Sequence, residues 1–172
     1  QPVTVENKPG AGSRIAFELL SRSEPDGHTL LVSGIQTATN QVLYKKLGYD
    51  VLRDFEPVTQ LTASVLILVV NPSLPPRNLG ALVTWAKSRA QPLSYATSGV
   101  ASAPHFAGAL FEQTAHIATT HIPFSGAAPA QTAVVAGQVL SAFVSPMSAL
   151  TLIQDGKLRA LAVTGNRRFG MM

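Results

Sequence analysis

The part of the chain best suited to chemistry is the sequence TSGVASAPH, residues 97–105, which follows a predicted strand and opens a predicted helix. Three hydroxyl residues lie close together here: Thr97, Ser98 and Ser102. Pro104 suits the first turn of a helix, whose N–H groups have no partner inside the helix. Free N–H groups, the helix dipole and the hydroxyls together predict a carboxylate or phosphate site. An ordinary capped helix explains the same residues equally well.

A second stretch of the same kind is PFSGAAPA, residues 123–130. The predicted strand ends at Phe124, and Ser125, Gly126 and Ala127 open the next predicted helix. Two strand–turn–helix tips on the same edge of a parallel sheet face one crevice, which is where α/β proteins place ligands. Side chains this small let a ligand approach the backbone closely.

Catalytic interpretations of these residues are weak. Ser98, Ser102 and His105 invite the idea of an α/β hydrolase, but the G-x-S-x-G nucleophile elbow is missing from the sequence. The nine acidic residues sit mostly in predicted loops, and no pair of them is placed for acid–base work. We therefore expect a protein that is not an enzyme.

Cofactor and metal sites are not expected either. In KPGAGSRIAFELL, Gly10 and Gly12 could belong to a dinucleotide fingerprint, but Ile15 stands where a third small residue is needed. A tight strand-to-helix turn explains these glycines better. His116 and His121 fall on opposite faces of a predicted strand without a carboxylate beside them, so we predict structural roles for both.

Composition limits the class of protein. The chain has 172 residues, 46% of them hydrophobic and 13% charged, which excludes intrinsic disorder. The longest apolar run, residues 65–70, is far shorter than the roughly 18 residues of a membrane helix. The net charge is +4, but the basic residues are scattered, so nucleic acid is not an expected partner. The absence of cysteine removes disulfides and thiolate chemistry.

Strand-like and helical patterns alternate along the chain. The predicted strands cover residues 3–7, 28–34, 57–72 (one strand or two), 93–97, 116–124, 139–144 and 158–164. The predicted helices cover residues 13–21, 39–46, 79–89, 103–113, 127–135 and 148–154, the third of them capped by Asn78.

This alternation predicts an α/β fold. Strands separated by one helix each cannot pair as hairpins, so the sheet should be largely parallel with helices on both faces. We expect the last strand, residues 158–164, to run in the opposite direction. A domain boundary is expected near residues 55–61, where the alternation pauses.

Seven segments in order along residues 3–165 carry a family resemblance. They are VTVENKPGAG, EPDGHTLLV, LYKKLGYDVLRDFEPVTQL, LVVNPSLPPRNLGAL, HFAGALF, HIPFSGAAPA and DGKLRALAVT. In this combination the chain resembles the substrate-binding proteins of tripartite tricarboxylate transporters, the Bug or TctC-like family. The resemblance implies a type II periplasmic-binding-protein-like receptor with two lobes. Such a receptor captures small carboxylates in the periplasm, without a cofactor, and delivers them to a membrane permease.

The resemblance also implies which residues bind the ligand. In this family two strand–turn–helix motifs, one from each domain, hold the carboxylate. Here the ligand-binding residues would be Thr97, Ser98, Gly99, Ala101, Ser102, His105, Phe124, Ser125, Gly126 and Ala127. Many members carry an aspartate at the position of Val144 to select amino-bearing ligands, so Val144 argues against an amino-acid ligand.

The resemblance further predicts an incomplete first domain and a nearly complete second one. Residues 1–56 would form part of domain 1 without its first strand and ligand loop, residues 57–164 domain 2, and residues 165–172 a tail. An alternative is a truncated chain that binds nothing or associates with itself, as a homodimer through an exposed sheet edge. A hydrolase-like enzyme is a remote third alternative.

Overall fold

The computed structural model describes residues 2–8 and 10–167, so most of the predicted tail, residues 168–172, lies outside the described residues. The chain divides into two units, Gln1–Leu61 and Thr62–Met172, and each is described by itself. Within the described ranges, no helix is long and apolar enough to cross a membrane.

The second unit alternates strands and helices from its first strand to its last. Its elements are β1 (Ile67–Val70), α3 (Leu79–Lys87), β2 (Leu93–Thr97), α4 (Ala103–Ala115), β3 (Thr119–Pro123), α5 (Ala127–Val135), β4 (Ser141–Val144), α6 (Pro146–Gln154) and β5 (Arg159–Val163). The predicted bounds of β2 and α5 are confirmed, and so is the Asn78 cap, whose side chain accepts from the Ala81 N–H at 2.8 Å.

The five strands form one mixed sheet in the order β3-β2-β4-β1-β5. Strand β2 pairs in parallel with β3 and β4, whereas β1 pairs antiparallel with both β4 and β5. Four strands therefore share one direction and β1 alone is reversed, so the expectation of a reversed last strand is wrong. The reason is that α6 makes a parallel crossover from β4 to β5, and β1 lies between these two strands.

Helices cover both faces of the sheet, as predicted for the fold class. Strand β1 shows why both faces are dry: Ile67 and Val69 belong to one apolar cluster, and Leu68 and Val70 belong to the other. Side chains alternate between faces along a strand, so a strand buried on both sides must be apolar throughout. The first cluster includes residues of α5 and α6, and the second includes residues of α3.

In its described residues the first unit contains a 3-10 turn (Ala11–Ser13) and two α-helices, α1 (Arg14–Ser21) and α2 (Gln36–Leu43). Its buried side chains are few. Phe17 stacks on Tyr49 with ring centroids 5.1 Å apart, and Phe55 meets both rings edge-on. Asn40 is fully buried and donates to Gly12 O at 3.1 Å and to the Tyr49 hydroxyl at 3.2 Å. This aromatic and amide cluster is the core of the unit.

The prediction of two strands in the first unit is wrong. Residues 3–7 and 28–34 belong to no strand, and their apolar side chains are exposed: Val3 is 86%, Val5 80%, Leu30 70% and Val32 78% exposed. An extended segment becomes a strand only when a neighbouring strand accepts its backbone hydrogen bonds. The described part of this unit offers these segments no such partner.

Other predicted elements differ in their limits. The predicted strand over residues 57–72 is reduced to β1, the strand over 116–124 to β3, and α2 begins and ends three residues before its prediction. His116 cannot start β3 because it ends α4 in the left-handed conformation, with φ 51°. Helix α6 begins two residues early because Pro146 fits a first helical turn.

Gly108 lets α4 approach β2 more closely than any other residue would. A Cβ at this position would overlap the ring of Tyr95, which is only 4% exposed. We expect Gly108→Ala to lower the free energy of unfolding by about 1–3 kcal/mol, because overpacking a buried contact forces side chains or backbone to shift. Urea unfolding monitored by circular dichroism measures this change.

The control is Leu110→Ala on the same helix, where the side chain is 63% exposed and the expected change is about 0.5 kcal/mol or less. If Gly108→Ala unfolds at the wild-type urea concentration, the close packing of α4 on Tyr95 is contradicted.

Candidate functional site

The two predicted ligand turns meet because β2 and β3 are parallel neighbours that end at the same level. The backbone hydrogen bonds between the two strands continue one residue past the end of β3, where the Phe124 N–H donates to Thr97 O at 2.9 Å. The β2–α4 turn (residues 98–102) and the β3–α5 turn (residues 124–126) follow at once. A Cβ on Gly99 would lie 3.7 Å from the Phe124 carbonyl oxygen, which is van der Waals contact.

The β2–α4 turn is held by its own hydroxyl groups. Thr97 Oγ1 accepts from the Gly99 N–H and donates to Gly99 O, both at 3.2 Å. Ser102 Oγ donates to the same carbonyl at 2.7 Å. Gly99 has φ 128° and Ala101 φ 64°, so two residues of this short turn have left-handed backbone angles. Thr97 and Ser102 are both buried and thus maintain the turn from inside.

Ser98 and Ser125 differ from these residues. Among the described residues neither hydroxyl has a hydrogen-bond partner in the protein. Ser98 is half-buried and Ser125 is exposed. Ser98 directly follows the last residue of β2, and Ser125 follows Phe124, whose N–H makes the last bond between β2 and β3. These two hydroxyls are free to donate to a ligand.

The helix N-termini at this edge also keep unused donors. The N-cap residues of α4 and α5, Ser102 and Gly126, make no side-chain cap, whereas α3, which begins at the opposite edge of the sheet, is capped by Asn78. In α5 the N–H groups of Ala127 and Ala128 lie in the first turn, where no intrahelical acceptor exists. Neutral donors of this kind, at the positive end of a helix dipole, suit an anion.

His105 lies one turn into α4 and bonds back to the turn. The Ala101 N–H donates to His105 Nδ1 at 3.2 Å. Nδ1 is therefore unprotonated and the ring proton is on Nε2. No hydrogen bond joins a serine hydroxyl of the turn to His105 in the part of the chain the structure describes. The Ser–His contact of a hydrolase is not formed.

His121 on β3 stacks on His105, with ring centroids 4.1 Å apart, and on Tyr95, with ring centroids 5.2 Å apart. His121 Nε2 shares a hydrogen bond of 2.7 Å with Thr97 Oγ1, in which the imidazole tautomer decides the donor. Burial, and then the neighbouring His105, lower the pKa of His121 below its ordinary value of 6.5.

The site contains no strongly basic group. The sequence has no lysine or arginine between Arg89 and Lys157. The titratable residues on strands β2–β4 and helices α4–α6 are Tyr95, His105, Glu112 and His121, and Glu112 accepts from the Thr119 hydroxyl at 2.5 Å. The described residues also contain no group of three side chains that could hold a metal ion. These strands and helices therefore offer an anion only neutral N–H and O–H donors and imidazole rings.

One element of this edge escaped the sequence analysis. Strand β4 is parallel to β2, so the start of α6 lies at the same edge as the two turns. Its N-cap, Ser145, makes no side-chain cap, and Pro146 follows. The sequence contains a signal for this helix start, because a serine N-cap is followed by a proline in the first turn at Ser145-Pro146, as it is at Ser102 and Pro104. His121, set aside as structural, also proves to contact both Thr97 and His105.

The fold and the paired turns define a periplasmic-binding-protein-like unit. The solved structure of the periplasmic binding protein BugD is similar to this chain with a TM-score of 0.84 and 30% identity, over 95% of this chain and 55% of that one. The chain belongs to the tripartite tricarboxylate transporter receptor family, TctC, whose family model matches residues 1–172. The resemblance found in the sequence is confirmed.

Further relatives agree. Protein BugT of Bordetella pertussis is 34% identical over 98% of this chain and 52% of its own length. The Rhodopseudomonas palustris protein MatC, solved with bound malate, has a TM-score of 0.82 and 31% identity over 98% of this chain and 57% of its own. Rpa4515 of R. palustris, solved with adipate, has a TM-score of 0.88 and 29% identity over 96% of this chain and 56% of its own. The chain spans about half the length of the relatives it matches.

The lowered pKa of His121 predicts acid sensitivity. The unfolded chain takes up a proton at the ordinary pKa of 6.5, whereas folded His121 resists protonation until a lower pH. The free energy of unfolding should thus fall as the pH decreases from 6.5 towards the folded pKa. His121→Gln keeps an N–H donor for Thr97 but does not titrate, so it should flatten this dependence. Urea unfolding at about pH 7.5, 6.5 and 5.5 measures the slope.

His28→Gln is the matched control, because His28 is exposed and its ring makes no contact with His121 or Thr97. It should leave the slope unchanged. An unaltered slope in His121→Gln would contradict the burial of a neutral imidazole at this position.

Proposed function

We propose that the chain belongs to an extracytoplasmic solute-binding protein that captures a small di- or tricarboxylate without an amino group. The observation that carries this proposal is the pair of adjoining turns with unused neutral donors at the carboxyl edge of the parallel strands. Two relatives were solved with adipate and malate, both dicarboxylates, which supports this class of ligand. Residues 57–164 would form the ligand-binding second domain and residues 1–56 a part of the first.

In this proposal the ligand carboxylate lies against the two turns. The hydroxyls of Ser98 and Ser125 and the N–H groups of Ala127 and Ala128 donate to its oxygens. Gly99 and Gly126 leave room for the ligand beside the backbone. Hydrogen bonds from neutral donors to a charged acceptor are stronger than neutral pairs, so a few of them can bind a carboxylate without a cation. Thr97, Ser102 and His105 shape the turn.

The end of β4 supports a ligand without an ammonium group. Val144, its last residue, is 5% exposed and apolar, and β4 lies beside β2 in the sheet. None of β2, β3 and β4 carries a carboxylate. A ligand ammonium would have no acidic partner on these strands, and burying it unpaired would be costly. Delivery to a membrane permease and a periplasmic location are part of the same proposal.

The test separates the ligand residues from those that hold the turn. Isothermal titration of the chain with malate, adipate and citrate should detect binding of at least one acid. Ser98→Ala should weaken that binding by roughly tenfold, because a charged hydrogen bond is lost, without changing the melting temperature. Ser102→Ala should instead lower the melting temperature by several degrees, because a buried hydrogen bond to Gly99 O is removed.

Ser88→Ala is the control, since Ser88 caps α3 at an exposed position and bonds only to Trp85 O. It should change the affinity by less than about twofold. A folded wild-type chain that binds none of the three acids would contradict the proposed function.

A second candidate function is self-association of the chain. The observation that favours it is the exposed apolar alternation of Val3 and Val5, and of Leu30 and Val32, in the first unit. Alternating apolar segments without a strand partner can pair with a second copy. Light scattering should then show dimers that increase with concentration, and Val5→Lys with Val32→Lys should abolish them. A monomer at all concentrations would exclude this candidate.

A further inference from the structure

We infer that His105 is a positioning residue for carboxylate binding: its unprotonated Nδ1 holds the Ala101 N–H and thereby the shape of the β2–α4 turn, so that the site is competent only while this nitrogen remains an acceptor. The inference rests on the proposed function and adds to it the role of one residue.

Geometry matters unusually at this site because charge is scarce. With no lysine or arginine on strands β2–β4 or helices α4–α6, affinity must come from the direction of N–H and O–H donors. Hydrogen bonds weaken steeply when their angle is poor. Whatever fixes the backbone of the β2–α4 turn therefore fixes the affinity of the ligand.

The turn needs external support at Ala101. This residue has φ 64°, in the left-handed region that disfavours every residue with a Cβ, and it is fully buried. Its N–H points to His105 Nδ1 and so is removed from solvent. His105 is the third residue of α4, the position from which a capping-box side chain reaches back to the N-cap region. Here an imidazole nitrogen replaces the usual carboxylate or amide oxygen as the acceptor.

A second histidine fixes the ring of the first. His121 stacks on His105 at 4.1 Å and reaches Thr97 Oγ1, which in turn binds both the N–H and the carbonyl of Gly99. The two stacked rings thus anchor both ends of the turn, one at Gly99 and the other at Ala101. Neither the bond from Ala101 to His105 nor the bond between His121 and Thr97 is needed to start α4. The first turn of α4 is already formed by the His105 and Phe106 N–H groups, which donate to Ser102 O.

Two substitutions separate the acceptor from the ring. His105→Asn places an amide oxygen, two bonds from Cβ as Nδ1 is, where it can accept from Ala101, but it has no ring to stack on His121. His105→Phe keeps the ring for stacking on His121 and has no acceptor. The probes are malate and adipate, titrated calorimetrically into wild type and each variant at about pH 8.

We expect His105→Asn to bind within about threefold of wild type, and His105→Phe to bind roughly tenfold or more weakly. The Ala101 amide should exchange slowly with solvent in wild type and His105→Asn, and faster in His105→Phe. Melting curves of all three proteins verify folding.

The outcomes distinguish this inference from the function it rests on. Wild-type affinity in His105→Phe would overturn the role of His105 while leaving carboxylate binding intact. A wild type that binds neither acid would overturn the proposed function itself. If His105→Phe does not fold, His105→Leu, which has the shape of asparagine but no acceptor, takes its place in the comparison with His105→Asn.

Discussion

The hydrogen bond from the Phe124 N–H to Thr97 O is the contact on which the candidate site depends. It extends the parallel pairing of β2 and β3 beyond the last strand residues, and so both chains turn away from the sheet at the same level. Every later feature follows from this common end point. The turns touch at Gly99 and Phe124, and α4 and α5 both begin at this edge, from which they run along opposite faces of the sheet.

Neutral donors would hold a carboxylate differently from the way a charged residue does. An ion pair tolerates some displacement because Coulomb attraction falls off slowly, whereas neutral donors must point at the oxygens they bind. The buried hydroxyls of Thr97 and Ser102 and the histidine rings all bond within or beside the β2–α4 turn rather than to open space. These buried groups thus maintain the backbone of the turn, and in the proposed function the small hydroxyls and N–H groups at its surface would bind the ligand.

Local patterns predicted the second unit well and the first poorly. The strand LSYAT, the helix after Gly126 and the Asn78 cap depend on nearby residues, so their limits could be derived. Residues 3–7 alternate like a strand, but a strand also requires a partner that no local pattern specifies. The two turns were predictable for the same reason, as small residues after a strand. The stacking of His105 on His121 was not, because it joins residues 16 positions apart through the fold of α4 back onto β3.

The reversal of β1 has a mechanical consequence. Because β1 alone is antiparallel, its first residue, Ile67, pairs with Val144 and Val163, the last residues of β4 and β5. The polypeptide therefore enters and leaves the sheet at the edge that carries the ligand turns. The entering and leaving segments are tied there, since Leu66 N–H donates to the Thr164 hydroxyl and Thr164 N–H to Leu66 O, both at 2.9 Å. Tension applied along the chain on either side of the sheet would be delivered to this edge first, beside the groups that would hold the ligand.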